Sequence, residues 1–131
     1  MITVASTQEP FDHVELYRAF VQREDDSTGT VVLHHGRVKR PGKQIENFSA
    51  VELRPLVVDV DERLAGIARL AIDEFGVHQV LIVHRLGTIG AGESVLLAIV
   101  SSTSRGPAFA ACSWIVDQVK KEEFIELIEL P

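Results

Sequence analysis

Apolar positions change their spacing several times along the chain, and each change predicts an element. The opening "ITVA" reads as a short strand. In "FDHVELYRAFVQRED" the apolar residues Val14, Leu16, Tyr17, Phe20 and Val21 recur at helical spacing, roughly on one face, and Asp12 is placed to cap the first turn. The turn signal "DDSTG" breaks that pattern. Behind it "TVVLHH" is a β-branched strand that stops at Gly36, and "RPGK" is a loop. "FSAVELRP" alternates as a strand until Pro55 ends it.

The sharpest helix signal is "DERLAGIARLAIDEFG", in which Leu64, Ile67, Ala68, Ala71, Ile72 and Phe75 recur at helical spacing. Asp59 or Asp61 can cap its start, and Gly76 stands where a left-handed residue ends a helix. "HQVLIVHRL" and "ESVLLAIVSS" are two strands, the second so continuously apolar that it belongs in the middle of a sheet. "RGPAFAACSWIVDQVKK" is a third helix, with Pro107 in its first turn and an apolar face of Phe109, Cys112, Ile115, Val116 and Val119. "FIELIELP" alternates as a last strand, with Phe124, Glu126, Ile128 and Leu130 on one side. The order β-α-β-β-α-β-β-α-β predicts an α+β domain: a mostly antiparallel sheet with helices packed on it.

Between the two inner strands lies "VHRLGTIGAGES", whose Gly87, Gly90 and Gly92 suggest a phosphate loop. Such a loop must leave a strand and open a helix, so that the phosphate meets the helix N-terminus. Here it joins strand to strand. The glycines therefore predict a hairpin connection that needs positive φ, not a nucleotide site.

Composition narrows the class. The 131 residues make one domain, 1–131, large enough to bury a real core, and 46% hydrophobic with 24% charged residues is ordinary for a globular chain. "MITVASTQEP" lacks the basic start and apolar core of a secretory signal, and no apolar run reaches the length of a membrane span. Cys112 is the single cysteine, so no internal disulfide can form and a cytoplasmic setting is expected. A net charge of −6 argues against a nucleic-acid partner. The basic residues are nevertheless clustered, with Arg37, Lys39, Arg40 and Lys43 inside "HHGRVKRPGK".

Few other residues suggest chemistry. His34 and His35 adjoin on a strand and point to opposite faces, so they cannot hold one metal together. His78 and His84 have no Cys or carboxylate at ligand spacing, and no metal or cofactor is expected. Cys112 lies on an apolar helix face and reads as a core thiol, and no nucleophile elbow supports a Ser/His/Asp triad. The cations remain. Arg37, Lys39 and Arg40 follow one strand, Arg105 follows another, and Lys120 with Lys121 closes a helix. Loops from different strands that meet on one rim can build an anion pocket, although each cation alone is an ordinary solvated one. Lys120 and Lys121 also suit a helix C-terminus through the macrodipole alone.

Taken in order, several segments resemble the MoaE family, the large catalytic subunit of molybdopterin synthase. "GTVVLHHGRVK" is similar to the family's Gly-x-Val-x-x-Phe-x-Gly-x-Val-Arg, and "VELRP" to its Leu-Glu-His-Tyr strand. After the helix "DERLAGIARLAIDEFG", "VLIVHRLGTIGAGESVLLAIVSS" is similar to its Ile-His-Arg-Ile-Gly and Gly-Glu hairpin. "SRGPAFAACSWIVDQVKK" is similar to its His-Arg-x-x-Ala-Phe helix. The resemblance runs unbroken from about residue 28 to 121. It implies a fold of the α/β-hammerhead type and a sulfur-transfer activity that builds the molybdopterin dithiolene on a cyclic pyranopterin monophosphate. The sulfur donor it implies is a MoaD-like small ubiquitin-fold carrier with a thiocarboxylate on its C-terminal glycine. It also implies a homodimer whose two copies each take one partner tail, making a heterotetramer. A pocket for that reaction must hold a phosphate and stabilise charge at an acyl-sulfur centre, which is work for Arg and Lys.

Carried over by position, the family's arginine after Gly-x-Val falls on Lys39, with Arg40 and Arg37 beside it, and its His-Arg pair on Ser104 and Arg105. Its first active-site lysine falls on Lys120. The resemblance thus implies Lys120, Arg105 and Lys121 as catalytic candidates, and Lys39, Arg40, Arg37, Ser104 and Arg105 as substrate-binding ones. Lys39, Arg40, Arg105 and Lys120 are expected to line one pocket. Besides Lys39 for arginine and Ser104 for histidine, three positions depart from the pattern. The family's second lysine falls on Glu126, with Lys121 as a substitute nearby; the aromatic before the loop glycine is His34; and the tyrosine of His-Tyr is Arg54. A carboxylate in place of an ammonium beside an anion turns attraction into repulsion, worth up to ~4 kcal/mol at contact in an effective dielectric of about 20. Glu122, Glu123, Glu126 and Glu129 make the whole C-terminal segment acidic. Two readings follow: a working synthase subunit, or a non-catalytic interaction or regulatory subunit that keeps the fold.

Overall fold

A computed structural model describes residues 1–121 and 123–131. Its elements are β1 (Ile2–Thr7), α1 (His13–Val21), β2 (Thr30–Arg37), β3 (Ala50–Pro55), α2 (Val60–Phe75), β4 (Gln79–Arg85), β5 (Gly87–Ile89), β6 (Ser94–Ser102), α3 (Arg105–Lys120) and β7 (Ile125–Leu130). The strands form two sheets, one ordered β1-β4-β6-β2 and the other β5-β3-β7. Among the described residues only β1 and β4 pair in parallel, and every other pairing is antiparallel. The expected α+β architecture is the one observed.

The inner strands explain the layering. Every residue of β4 is buried, as is β6 from Leu96 onward, so both faces of the larger sheet are covered. On one face Val80, Ile82, Ala98 and Val100 pack against α2 and α3. On the other, Leu81, Val83, Leu97 and Ile99 meet Phe20 and Leu16 of α1. Helix α3 contributes Ala108, Ala111, Cys112, Ile115, Val116 and Val119 to the first layer. Truncating Ile115 there, at 0% exposure, would cost about 2–5 kcal/mol through lost burial and the cavity left behind.

Two helix faces differ from expectation, for the same geometric reason. Val14, Tyr17 and Val21 are exposed, whereas Phe20 is buried and Leu16 half-buried. At about 100° per residue, 14, 17 and 21 form one stripe and 16 and 20 another, roughly 110° round the helix. A short helix lying on a sheet buries only one of them. Phe109 stands about 90° from the centre of the buried stripe of α3 on the same count, and it is 60% exposed. Asp12 does cap α1: its carboxylate accepts from the amides of Val14 and Glu15 at 2.9 and 3.3 Å.

The glycine stretch is more than a hairpin. Gly87 and Gly92 do take positive φ, 91° and 88°. Between them Gly87–Ile89 is a strand of its own, leaving the first sheet to pair with Val51–Leu53 of β3 in the second.

Candidate active site

Helix α3 runs back along β6 and β2, so its C-terminal end comes to the end of β2. Lys120 lies close enough to His34 to hold that imidazole's proton affinity down, an effect second to the burial of the ring, with His35 third. The Nε2 of His34 is buried and finds no partner among the described residues. His34 and His35 do point to opposite faces. His35 stacks on His13 with ring centroids 4.1 Å apart and meets the Ser94 hydroxyl at 2.7 Å.

Beyond β2 the chain is pinned at intervals. Val38 is buried and tied to the turn before β6, donating to the Glu93 carbonyl at 2.9 Å and accepting from the Gly92 amide at 2.7 Å. Arg37 Nε donates to the Gly92 carbonyl at 3.1 Å, so this arginine braces the turn. Arg40 Nε donates to the Phe48 carbonyl at 2.9 Å, and its guanidinium lies 5.3 Å from the Phe48 ring centroid. Lys39 is exposed between them. Among the described residues neither Lys39, Arg40 nor Lys120 forms a salt bridge, and all three residues are exposed. Lys121 Nζ donates to Gln118 of its own helix at 3.1 Å.

The expected single pocket is not present within one chain. Arg105 opens α3 and Lys120 ends it, and the helix holds 16 residues. At about 1.5 Å of rise per residue the two sit about 22 Å apart along the axis. Ser104, the N-cap residue of α3, shares the Arg105 end and makes no side-chain capping bond. Lys39, Arg40 and Lys120 therefore belong to the end of the domain where β2 finishes; Ser104 and Arg105 belong to the other. The sequence placed each cation correctly on its element but carried no information on which ends of those elements meet. Cavities of about 490 and 230 Å³ lie elsewhere, and the larger is rimmed by Asp59, Asp61 and Glu62, which would repel an anion.

The acidic C-terminal segment is also not what charge counting implies. Glu126 faces Arg54 across the β3–β7 pairing, with Arg54 Nη2 donating to Glu126 Oε1 at 3.0 Å. Two of the departures from the family pattern, Arg54 and Glu126, thus form one pair. Glu129 accepts three backbone amides, those of Lys43, Gln44 and Ile45, at 2.7, 2.8 and 2.7 Å. The Ile45 amide first, then the other two, hold its carboxyl below the usual range. Glu122 lies outside the described residues.

The burial of two groups was not read from the sequence, where His84 stands as a strand-end polar residue. Arg85 is 6% exposed and its Nη1 reaches Glu93 Oε1 at 3.4 Å, while Nε has no partner among the described residues. Glu93 in turn accepts from the Gly90 amide at 2.7 Å, so the pair clamps the turn at residues 90–93. His84 is buried, donating from Nδ1 to the Arg85 carbonyl at 2.7 Å. Only burial separates these from surface His and Arg, and burial of strand ends is not written in residue type. Cys112 is the expected core thiol, pushed up to about 11 by burial. No group of three or more His, Cys, Asp or Glu among the described residues could hold a metal ion.

Comparison with known proteins adds to this geometry. A family model described as MoaE protein matches residues 6–122. The chain is 33% identical over 120 residues to the molybdopterin synthase catalytic subunit of Pyrococcus abyssi, covering 90% of this chain and 78% of that one. It is 30% identical over 117 residues to the subunit of that name from Caulobacter vibrioides, covering 89% and 75%. Among solved structures it is similar to molybdopterin synthase from Staphylococcus aureus, with a TM-score of 0.79, 25% identity, and 98% and 88% of the two chains covered. It is also similar to molybdopterin cofactor biosynthesis protein E from Burkholderia multivorans, with a TM-score of 0.78, 27% identity, and 92% and 77% covered.

Proposed function

The chain belongs to the MoaE protein family, and from that membership we propose that it is a molybdopterin synthase catalytic subunit working through the cations at the C-terminal ends of β2 and α3. In this role it receives sulfur from the thiocarboxylated tail of a MoaD-type carrier and transfers it to a cyclic pyranopterin monophosphate. The observation that carries the reading is Lys120, set beside His34 at the end of β2 in a chain whose 33%-identical relative bears that catalytic name.

The chemistry follows from charge. Once the thiocarboxylate sulfur has bonded to the pterin, water attacks the resulting thioester carbonyl. Negative charge builds on its oxygen before the acyl C–S bond breaks to leave a carrier carboxylate and a pterin thiolate, and a fixed ammonium stabilises that charge without reorganising. Lys120 stands at a helix C-terminus, where the macrodipole attracts a cation. It therefore serves as an electrostatic group and a phosphate grip rather than a nucleophile. Lys39 and Arg40 supply further positive charge for the phosphate. Arg105, at the far end of α3, can join them only from a second copy, so a role for it in this site requires a homodimer. Light scattering at micromolar concentration tests that: a dimer is expected, and a monomer would remove Arg105 from the site.

A second reading has one observation behind it. Glu126 stands where the family's second lysine falls and is already neutralised by Arg54, as in a subunit that has given up catalysis and kept its binding surface. One assay separates the two. The protein is mixed with a thiocarboxylated carrier and the pyranopterin, and molybdopterin is measured. Turnover that falls by at least tenfold in Lys120→Ala supports the synthase reading. Turnover equal to wild type in that variant rejects the role of Lys120, and carrier binding without any turnover selects the non-catalytic reading.

A further inference from the structure

The loop between Val38 and Ser49 carries Lys39 and Arg40, and its ends are fixed. Val38 is tied to the β5–β6 turn, and the Ser49 amide donates to the Leu130 carbonyl at 2.9 Å. The middle has no sheet partner. It is gathered instead on one side chain from the far end of the sequence. The amides of Lys43, Gln44 and Ile45 converge on the two carboxylate oxygens of Glu129. Three successive amides aimed at one point are how a chain holds an anion, and here the anion is the protein's own. Gly42 makes the approach feasible. A Cβ there would meet the Ile45 carbonyl and come within 2.6 Å of the Glu129 carboxyl carbon.

The placement reverses what residue type suggests. An acidic residue near an anionic substrate should weaken binding by repulsion. Glu129, however, has its charge absorbed by backbone dipoles and spends it on ordering the segment that bears the cations. We propose that Glu129 is a positioning residue: by filling the amide cradle of residues 43–45 it fixes the loop and holds Lys39 and Arg40 toward the phosphate of the substrate. The inference rests on the synthase reading for the identity of that substrate.

Repulsion and positioning predict opposite signs, which makes the test direct. Glu129→Gln removes one negative charge, as does the control Asp73→Asn on the exposed face of α2. If Glu129 only repels, Glu129→Gln lowers the KM for cyclic pyranopterin monophosphate. If it positions the loop, KM rises about tenfold with kcat held, which is the signature of lost binding that is equal in ground and transition states. Amide hydrogen exchange at Lys43, Gln44 and Ile45 should speed up in the same variant. Gly42→Ala, which crowds the cradle and leaves the carboxylate intact, should reproduce both effects. In a Lys39→Ala, Arg40→Ala background Glu129→Gln should add little to KM, because the cations it positions are gone. A KM that falls or stays at the wild-type value overturns the proposal, as does unchanged exchange at the three amides. Should wild type bind the pyranopterin without turning it over, the synthase reading fails alone. The dissociation constant from calorimetry then replaces KM, judged by the same signs. Wild type that binds no pyranopterin overturns both.

Discussion

Replacing Glu126 by lysine restores the residue type that the family pattern calls for, yet the structure says the single change comes at a cost. Arg54 and Glu126 are directly paired across β3 and β7 with 3.0 Å between charged atoms, and their side chains are 51% and 33% exposed. With that much water around the pair, its attraction is worth only about 0.2–1 kcal/mol. Glu126→Lys removes this and sets two cations opposite each other, which costs a similar amount again. A total near ~1.5 kcal/mol lowers Tm by about 5 °C in a domain of this size. Exchanging both charges, Arg54→Glu with Glu126→Lys, should return most of that loss and supply the missing ammonium in a paired, oriented form. The expected order of turnover is therefore wild type, then Glu126→Lys, then the exchanged double variant. Thermal melts on the four proteins of the cycle give the coupling energy, and the molybdopterin assay gives the rates. If the double variant melts no higher than Glu126→Lys, the two residues are not coupled. If neither variant outpaces wild type, position 126 does not correspond to the second lysine.

Two other outcomes are expected. Burial lowers the pKa of His84, and of His34 and His35 more weakly exposed to water than in an unfolded chain, below the ordinary value of 6.5. The unfolded chain then binds more protons, so this stability is fully present above pH 6.5 and is lost as pH falls toward the folded values, by up to ~1.4 kcal/mol per unit per histidine. Tm should drop between pH 7 and 5.5, with a shallower slope in His84→Gln; equal slopes would show that His84 does not contribute. The Cys112 thiol, buried and pushed up to about 11, should react with a disulfide reagent at pH 8 roughly a hundredfold more slowly in the native protein than in denaturant. Rapid stoichiometric labelling of native protein would contradict its place in the core.

Most elements were legible because their signals are local. The β-branched run in "TVVLHH", the stripe from Leu64 to Phe75 and the stop at Gly76 each depend on a few neighbouring residues, and each stands where expected, Gly76 with φ of 66°. What periodicity could not decide was which of two stripes a helix buries, and so Val14, Tyr17 and Phe109 were misplaced. The site was less legible. Arg105 and Lys120 were assigned to one pocket because both follow the family pattern, but within one chain a helix holds its two ends apart. Glu126 and Glu129 were counted as free negative charge. Their partners, Arg54 and the amides of 43–45, are 72 and 84–86 residues away, and no local signal names them.

The passage from β4 to β5 bears on how the domain holds together against unfolding. Arg85 pairs with β1 in the first sheet, Gly87 pairs with Leu53 in the second, and only Leu86 lies between them. Leu86 itself donates to the Thr7 carbonyl at 2.8 Å. Strands of 3, 6 and 6 residues would make a marginal sheet alone. Joined to a wholly buried strand by a single residue, the smaller sheet cannot open without disturbing the centre of the larger one. Its amides should therefore exchange with solvent at rates set by global rather than local opening. The glycine stretch that mimics a phosphate loop in the sequence makes the two sheets one cooperative unit.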